Sequence, residues 1–381
     1  MHAQASITAA ERPVFDAHAD SLQLALDMGR DLGERGAGHL DLVRGAEGGL
    51  GELVFVSWCD PKWIAACEHG ARDRTRALLR EFHRLLARHP EQVGFAGNGR
   101  DAAALRARGL VAGIPGIEGG HSIEGSLDEL EWFFERGVRV LTLVWNNHLA
   151  WVRSCQDGAG LEVPEGLSDF GRSVVRRMNE LGMVVDLSHA GRRSFFDALE
   201  ASSKPVIASH SGCKSLHGHQ RNLDDEQLRE LGQSGGVVGI VFCTPFLDAD
   251  AFREEARLRE LAEYKALGGA NDTERFWEQC KFLQRHAPPL SIECVLDHLC
   301  HAVELAGVDH VGLGSDYDGI LRTPQGLEDA STYLALAAGM QRRGFSVDDV
   351  RKVLGGNMRR VYEAVTGPGT AAASAALVPF E

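Results

Sequence analysis

Eight short apolar runs constrain the fold of this chain more than any other feature. Most of them are followed by a helical pattern. Each run is rich in Val, Ile and Leu and is long enough for a strand that is buried on both faces. Alternating strands and helices in that number predict an α/β protein with a single (β/α)8 TIM-like barrel, which a length of 381 residues allows. The runs are Val14–Asp16, Leu53–Trp58, Val111–Ile117, Val138–Val144, Met183–Leu187, Pro205–Ala208, Val237–Phe242 and His310–Gly314.

Two segments between the runs predict helices of the outer ring. Apolar residues recur at spacings of three and four over Arg72–Leu86 and over Phe170–Leu181. Ser168 precedes the second segment at the position of a helix N-cap. We therefore expect both segments to lie around the barrel.

A charged stretch interrupts the alternation after the seventh run. Residues 247–289 are too many for an ordinary strand-to-helix connection, and their pattern predicts helices over Phe252–Leu267 and Thr273–Arg285. We expect this helical insertion to form a lid or a partner contact. The barrel domain is predicted to span residues 13–365, between an N-terminal tail of 1–12 and a C-terminal tail of 366–381.

Charge and composition exclude some classes of partner. The chain has 40 basic and 54 acidic residues and no basic run, so we expect it not to bind nucleic acid. Met1–Arg12 lacks the pattern of a signal peptide, and no apolar stretch is long enough to cross a bilayer. The eight cysteines contain no CxxC pair and are expected to be reduced, although an even count permits disulfides. A cytoplasmic protein that does not contact membranes is the expectation.

Candidate metal ligands or acid/base residues follow five of the eight runs, at the ends where barrel enzymes place their functional residues. An alternating His-x-Asp at a strand end directs a nitrogen and an oxygen toward the same ion. A glutamate can bridge two ions, and two further histidines can hold the second, which is the ligand chemistry of paired zinc. The residues are His18 and Asp20 after the first run, Glu118 after the third, His189 after the fifth, His210 after the sixth and Asp316 after the eighth.

A structural role is the alternative for each of these residues. His189 and His210 could be core histidines that bind backbone groups, and Asp20 and Glu118 could cap helices. Taken singly, each residue is consistent with either role. Because buried charges need partners, the five predicted ligands together favour a centre of two zinc ions. They are His18, Asp20, Glu118, His189 and His210.

The chain resembles the membrane (renal) dipeptidase family of zinc peptidases, and its bacterial members in particular, from Phe15 to about Tyr362. The order and spacing of several motifs carry the resemblance. It implies a barrel of the metal-dependent amidohydrolase type. The motifs are FDAHAD (15–20), GIEGGHSI (116–123), GLSDFGRSVVRRMNELGMVVDLSHAG (166–191), PVIASHSG (205–212), RNLDD (221–225), VGLGSDYDG (311–319) and GGN (355–357).

The resemblance also implies roles for single residues. His18 and Asp20 would hold one zinc ion, Glu118 would bridge, and the pair His189 and His210 would hold the other. Arg221 would clamp the terminal carboxylate of the substrate, which suits a guanidinium fork. Asp316 would handle the proton of the attacking water or the leaving amine, so Glu118 and Asp316 are the predicted catalytic residues. Asp318 is interpreted as a loop cap.

Three positions depart from the family pattern. Trp145 occupies the position of a histidine that contacts the tetrahedral intermediate in renal-type members, and His148 could substitute for it. Phe246 occupies the position of an aromatic hydroxyl that contacts substrate, so altered specificity is expected. Asn147 stands where vertebrate members have a disulfide cysteine, which together with the missing secretion signal and anchor indicates a bacterial cytoplasmic-type member.

A binuclear zinc dipeptidase is the predicted function. Arg221 and the metals would span a substrate of about two residues. The family resemblance also implies tolerance of a D-residue at the C-terminal position, because that residue is held chiefly through its carboxylate. One alternative is a related amidohydrolase that acts on N-acyl amino acids or on another small carboxylate-bearing amide or lactone. A non-catalytic barrel that binds zinc or a ligand is a third reading. The family is commonly dimeric, so a homodimer is possible.

Overall fold

The computed structural model describes residues 7–66, 69–156 and 163–367. Its centre is a sheet of nine strands in which every pairing between neighbours is parallel. The strands are β1 (Val14–Ala19), β2 (Leu50–Trp58), β3 (Val93–Phe95), β4 (Val111–Glu118), β5 (Val140–Thr142), β6 (Val184–Asp186), β7 (Ile207–Ser211), β8 (Val237–Ile240) and β9 (Val311–Leu313).

Eight of these strands form a closed barrel. The order β2-β1-β9-β8-β7-β6-β5-β4 is closed by pairing of β2 with β4, from Glu52 opposite Ala112 to Trp58 opposite Glu118. Each of the eight predicted runs overlaps one of these strands, and the predicted (β/α)8 barrel is confirmed. The extra strand β3 pairs only with the first three residues of β4. It is too short to show a periodic pattern, so the sequence did not reveal it.

The helices surround the barrel. The predicted helices over Arg72–Leu86 and Phe170–Leu181 are confirmed as α4 and α7, and the Ser168 side chain accepts a hydrogen bond from the Gly171 N–H at 3.2 Å. A π-helical turn over Lys352–Gly356 precedes the last helix. The α-helices are α1 (Leu22–Met28), α2 (Leu42–Glu47), α3 (Lys62–Ala66), α4 (Gly70–Arg88), α5 (Gly99–Ala107), α6 (Leu127–Glu135), α7 (Asp169–Leu181), α8 (Arg192–Ala201), α9 (Asp225–Gln233), α10 (Thr244–Leu247), α11 (Ala249–Arg259), α12 (Ala262–Lys265), α13 (Asp272–His286), α14 (Glu293–Ala306), α15 (Ala335–Arg342), α16 (Val347–Arg351) and α17 (Asn357–Thr366).

The insertion contains three of these helices, α11 to α13, and α10 ends at its first residue, Leu247. The prediction of one helix over Phe252–Leu267 is wrong, because the chain leaves the helical conformation at Leu261, where φ is −64° and ψ is 142°. The break lets Leu258 and Tyr264 pack together on Leu283 of α13, and this burial outweighs helix continuity. Thr273–Arg285 is helical as predicted, within α13.

The insertion is anchored to the barrel body through α1. The Asn271 amide donates to the carbonyl oxygen of Asp27 at 2.9 Å. Trp277 and Cys280 of α13 pack with Leu24 of α1. The insertion therefore forms a fixed wall on one side of the barrel mouth.

A buried ion cluster holds the opposite end of the barrel together. Glu52, near the start of β2, has no exposed surface. Its carboxylate accepts a hydrogen bond from the Arg359 guanidinium at 2.6 Å and another from Arg106. Arg359 also donates to the Pro13 carbonyl at 2.8 Å, next to the start of β1. This end of the barrel is electrically balanced by the protein itself.

Two further observations concern the whole of the described chain. Over residues 7–66, 69–156 and 163–367, none of the helices is both long and apolar enough to cross a bilayer. The seven cysteines within those ranges are all unpaired, and Cys67 lies outside the described residues.

Candidate active site

The five predicted metal ligands converge at the carboxyl end of the barrel. They follow or end four strands, β1, β4, β6 and β7, and all are buried. Glu118 is central: its Oε1 lies 2.8 Å from Nε2 of His189, 3.3 Å from Nε2 of His210 and 3.6 Å from Nε2 of His18. Nε2 of His18 lies 3.5 Å from Oδ2 of Asp20.

These residues form two groups of potential metal-binding atoms that share Glu118. One contains His18 and Asp20, the other His189 and His210, and within each group the donor atoms lie within 4.8 Å of one another. Nε2 of His18 and Oδ1 of Asp20 are buried without a hydrogen-bond partner. Such orphaned polar atoms are costly unless something binds them. Mixed nitrogen and oxygen donors at this spacing fit a divalent metal such as zinc.

The electrostatics of the site also favour a bound cation. Burial raises the pKa of Glu118, and it lowers the pKa values of His189 and His210. Burial opposes protonation of His18 as well, but the charges of Glu118 and Asp20 outweigh it and raise the pKa of His18 to about 10. This concentration of buried carboxylate charge suits a divalent metal ion.

Asp316 lies at the edge of this group, after β9. Its Oδ1 is 4.0 Å from Nε2 of His18. Burial, reinforced by the charge of Asp20, raises the pKa of Asp316 to about 8. A Cβ atom on Gly319 would lie 2.3 Å from Oδ2 of Asp20 and 2.5 Å from Oδ1 of Asp316, so only glycine leaves room for both carboxylates.

Two of the predicted site residues have left-handed backbone conformations. His189 has a φ of 66° and Asp316 a φ of 59°, which are uncommon for residues with a side chain. Strain of this kind collects at functional sites, where the surrounding structure enforces it. Asp318 also has a positive φ, and its carboxylate accepts hydrogen bonds from the His39 N–H and the Ser21 hydroxyl, which fits its interpretation as a loop cap.

The sequence did not reveal the residues that orient His210. Nδ1 of His210 lies 2.8 Å from Oγ of Ser209, whose hydroxyl donates to Oδ2 of Asp186 at 2.6 Å. Asp186 also accepts hydrogen bonds from the Thr142 hydroxyl and from two backbone N–H groups, so its lone pairs are occupied. Asp186 also lies within 4.8 Å of His18 and His210. We therefore interpret Asp186 as a support for these histidines rather than as a metal ligand. The relay leaves Nε2 of His210 available as a ligand.

A second missed residue, Asn146, orients His189. Its Oδ1 lies 2.8 Å from Nδ1 of His189 and accepts a hydrogen bond from the Gln156 amide at 2.9 Å. The neighbouring Trp145 packs its ring against Trp58, with centroids 5.1 Å apart, and against His189, with centroids 6.1 Å apart. The available sequence signal for Asn146 was its place two residues after the fourth apolar run, in Trp145-Asn146-Asn147-His148.

A cavity of about 700 Å³ opens beside His189. His148 and Arg221 both line it, and Nδ1 of His148 accepts the Ser154 N–H at 3.2 Å. Arg221 is only 3% exposed, and its Nη2 donates to the His210 carbonyl at 3.1 Å. Nε of Arg221 is buried without a partner, and no carboxylate of the described residues lies within 4.0 Å of this guanidinium. Phe246 lies under it, 5.5 Å from ring centroid to Cζ.

The geometry has a counterpart among known proteins. The family model described as Membrane dipeptidase (Peptidase family M19) matches residues 2–374. The chain belongs to the membrane dipeptidase family. The resemblance predicted from the motifs is thereby confirmed, and the protein is a metallo-dipeptidase, a hydrolase that depends on a metal ion.

Comparisons with individual relatives of this membrane dipeptidase family member support the same assignment. Dipeptidase tcpJ of Claviceps purpurea (strain 20.1) is 32% identical over 334 residues, which cover 86% of this chain and 70% of that protein. A solved metallopeptidase of Rhodobacter sphaeroides, liganded with a phosphinate mimic of the dipeptide L-Ala-D-Ala, is 28% identical with a TM-score of 0.76, over 93% of this chain and 99% of that one. The probable dipeptidase PvdM of Pseudomonas aeruginosa shares the fold, with a TM-score of 0.80 at 24% identity, over 94% and 97% of the two chains.

Proposed function

We propose that this chain is a binuclear zinc dipeptidase that hydrolyses the amide bond of dipeptides and accepts a D-residue at the C-terminal position. The carrying observation is the position of Glu118 between two groups of donor atoms, one of which contains His18 and the other His189 and His210. A carboxylate shared in this way suits a bridge between two metal ions. When bound, zinc would supply a Lewis acid for the scissile carbonyl and lower the pKa of a bound water.

Arg221 is the proposed anchor for the substrate's terminal carboxylate. A buried guanidinium with an unsatisfied Nε needs an anion, and a carboxylate can accept two parallel hydrogen bonds from it. Its Nη2 donates to the carbonyl of His210, so the anchor lies directly behind a proposed metal ligand. That short separation favours a substrate of about two residues.

Asp316 is the proposed carrier of the proton. It lies near the His18 and Asp20 group, with its Oδ1 4.0 Å from Nε2 of His18. We expect it to accept a proton from the attacking water and return it to the leaving amine. Glu118 would act with it by holding the two metal sites at a fixed separation.

Tolerance of a D-residue follows from the proposed anchoring. If Arg221 holds the carboxylate, the side chain on the same carbon can point to either side of a cavity of about 700 Å³. The related Rhodobacter sphaeroides structure contains a mimic of L-Ala-D-Ala, which supports the same tolerance here.

Three aromatic or imidazole side chains have proposed supporting roles in binding. His148 lines the same cavity as Arg221, and its Nδ1 accepts the Ser154 N–H at 3.2 Å, so its ring is proposed to contact the substrate. Trp145 would be a wall behind His189, and Phe246 would support the Arg221 guanidinium.

Two broader proposals rest on the family resemblance. We propose a homodimer, which light scattering would test. We also propose a reducing, cytoplasmic environment, with which the unpaired cysteines of the described residues are compatible.

The test combines metal counting with a substrate panel. We expect about two zinc ions per chain and turnover of L-Ala-L-Ala and L-Ala-D-Ala, but not of N-acetyl-L-alanine. His189→Asn should lose metal and activity, whereas Arg221→Met should keep its metal and raise KM. His301→Asn, which changes a histidine paired with Asp225 outside the site, is the control. A single bound metal would contradict the binuclear centre, and faster hydrolysis of N-acetyl-L-alanine would indicate the amidohydrolase alternative.

A further inference from the structure

The cavity beside Arg221 has a cationic lining, although the chain as a whole has a net charge of −14. Among the described residues, the acidic side chains that line it are two, Glu165 and Asp224. Such a local reversal of sign attracts anions into the cavity. The basic side chains that line it are Arg153, Arg192, Arg193, Lys214 and Arg221.

Two of these cations are already neutralised by carboxylates of the protein. Nε of Arg192 lies 2.9 Å from Oδ2 of Asp224. Nε of Arg193 lies 2.9 Å from Oδ1 of Asp197. Lys214 is exposed to solvent, which screens its charge. Besides Arg221, this leaves Arg153 as the cation whose charge is not balanced.

The guanidinium of Arg153 has one unsatisfied donor, and hydrogen bonds hold its backbone in place. Its Nη2 donates to the Val163 carbonyl at 3.0 Å, but its Nε is buried and has no hydrogen-bond partner. Within the described ranges no carboxylate lies within 4.0 Å of it. The Arg153 N–H donates to Oγ of Ser194 at 3.1 Å, and its carbonyl accepts from the Gly191 N–H at 2.9 Å. The start of α8 therefore holds this residue in place.

We propose that Arg153 forms a second anionic subsite, which binds the side-chain carboxylate of the substrate's C-terminal residue. This inference rests on the proposed function, in which Arg221 in the same cavity holds the α-carboxylate. The favoured substrates are then dipeptides that end in aspartate or glutamate.

The rest of the cavity lining fits an acidic side chain better than an apolar one. Its aliphatic members are few, namely Leu187, Ala190 and Leu223. An apolar C-terminal side chain would gain little contact there and would leave Nε of Arg153 unsatisfied. A carboxylate forms charge-assisted hydrogen bonds with the guanidinium, and a neutral amide of the same shape forms weaker ones.

The experiment compares isosteric substrates on the zinc-loaded full chain. We expect kcat/KM for L-Ala-L-Glu to exceed that for L-Ala-L-Gln by about tenfold or more, with the same order for the Asp and Asn pair and for the D-isomers. Arg153→Gln should bring the Glu-to-Gln ratio close to one, mainly through KM. Arg153→Lys should keep part of the preference, because it keeps the charge.

Arg193→Gln is the matched control. It removes the same charge from the same cavity, and Asp197 keeps a partner because Nη2 of Arg172 lies 3.1 Å from its Oδ1. The ratio should stay at the wild-type value. An equal fall in Arg193→Gln and Arg153→Gln would overturn the subsite in favour of a general field effect.

A binding measurement separates this inference from the proposed function. Free L-glutamate should raise the melting temperature of the wild-type protein more than L-glutamine does, and Arg153→Gln should abolish the difference. Dipeptide turnover without a preference for acidic residues would overturn the subsite and leave the dipeptidase proposal intact. Failure to hydrolyse any dipeptide, with Arg153-dependent glutamate binding retained, would overturn only the proposed function.

Discussion

Two glutamates on neighbouring strands of the barrel have opposite electrostatic surroundings. Glu52 lies near the start of β2 and Glu118 at the end of β4, and both are buried. The Glu52 carboxylate binds the guanidinium groups of Arg106 and Arg359. The Glu118 carboxylate instead faces the imidazole nitrogens of three histidines, and no arginine or lysine of the described residues lies within 4.0 Å of it.

The difference separates the stabilising end of the barrel from its reactive end. At Glu52 the charge is balanced as soon as the chain folds, so the ion cluster contributes to the folded state. At Glu118 no arginine or lysine of the described residues balances the charge, and the proposed metal ions would do so. The two ends of one barrel would thus use the same residue type for stability and for chemistry, as is typical of this architecture.

Glu118→Gln should have the largest effect. The amide cannot supply the shared negative charge, so we expect loss of at least one bound zinc and a fall in dipeptide kcat/KM of roughly a thousandfold or more. Metal analysis and steady-state kinetics measure the two effects. Near-normal turnover in this variant would show that the Glu118 carboxylate is not required for activity.

Glu52→Gln should leave the metal centre intact and weaken the fold. Two arginines would lose their buried counter-charge, and breaking such a pair lowers the free energy of unfolding by about 3 kcal/mol. Urea denaturation measures this loss, while the zinc content should match that of the wild type. Unchanged stability would mean that Glu52 is not the stabilising counterpart of Glu118.

Ser209→Ala should sharpen the comparison at the reactive end. Loss of the hydroxyl breaks the connection between His210 and Asp186, and supporting contacts of this kind change metal affinity by roughly tenfold or more. Competition with a chelator measures the affinity. Ser211→Ala is the matched control, because the Ser211 hydroxyl is buried on the same strand and has no hydrogen-bond partner. Equal effects of the two substitutions would rule out the relay.

The smallest expected effect concerns His298, whose two ring nitrogens both have hydrogen-bond partners within the protein. Nδ1 of His298 accepts the Cys213 N–H at 2.8 Å, and Nε2 lies 3.0 Å from the Leu247 carbonyl. Burial lowers the pKa of His298 to about 4. The unfolded chain, with a histidine pKa near ~6.5, therefore takes up this proton first, and stability falls as the pH drops from about 6.5 toward 4, by at most about 1.4 kcal/mol per pH unit.

Urea denaturation at pH 7, 6 and 5 tests this prediction, with wild type and His298→Gln compared at each pH so that other groups cancel. The variant should be less stable at pH 7, and its deficit should shrink as the pH falls. A constant difference between the two proteins would show that His298 does not titrate on unfolding.

The parts of the fold and the site that the sequence predicted are those fixed by local pattern. A buried apolar run indicates a barrel strand, and the carboxyl end of the strand determines where His18, Glu118 and His210 lie. β3 and the helix break at Leu261 depend on packing partners far away in the chain. Ser209 and Asn146 act on histidines through contacts between neighbouring strand ends, and nothing in their local sequence states which ring nitrogen they meet.

The anchoring of the insertion to α1 has a consequence for how substrates are chosen. Asn271 and Trp277 attach it to the barrel body, and Phe246, just before it in the chain, lies under Arg221. We therefore expect the insertion to keep the same position with and without a bound peptide. Substrate entry would then require no opening or closing of this segment in each catalytic cycle.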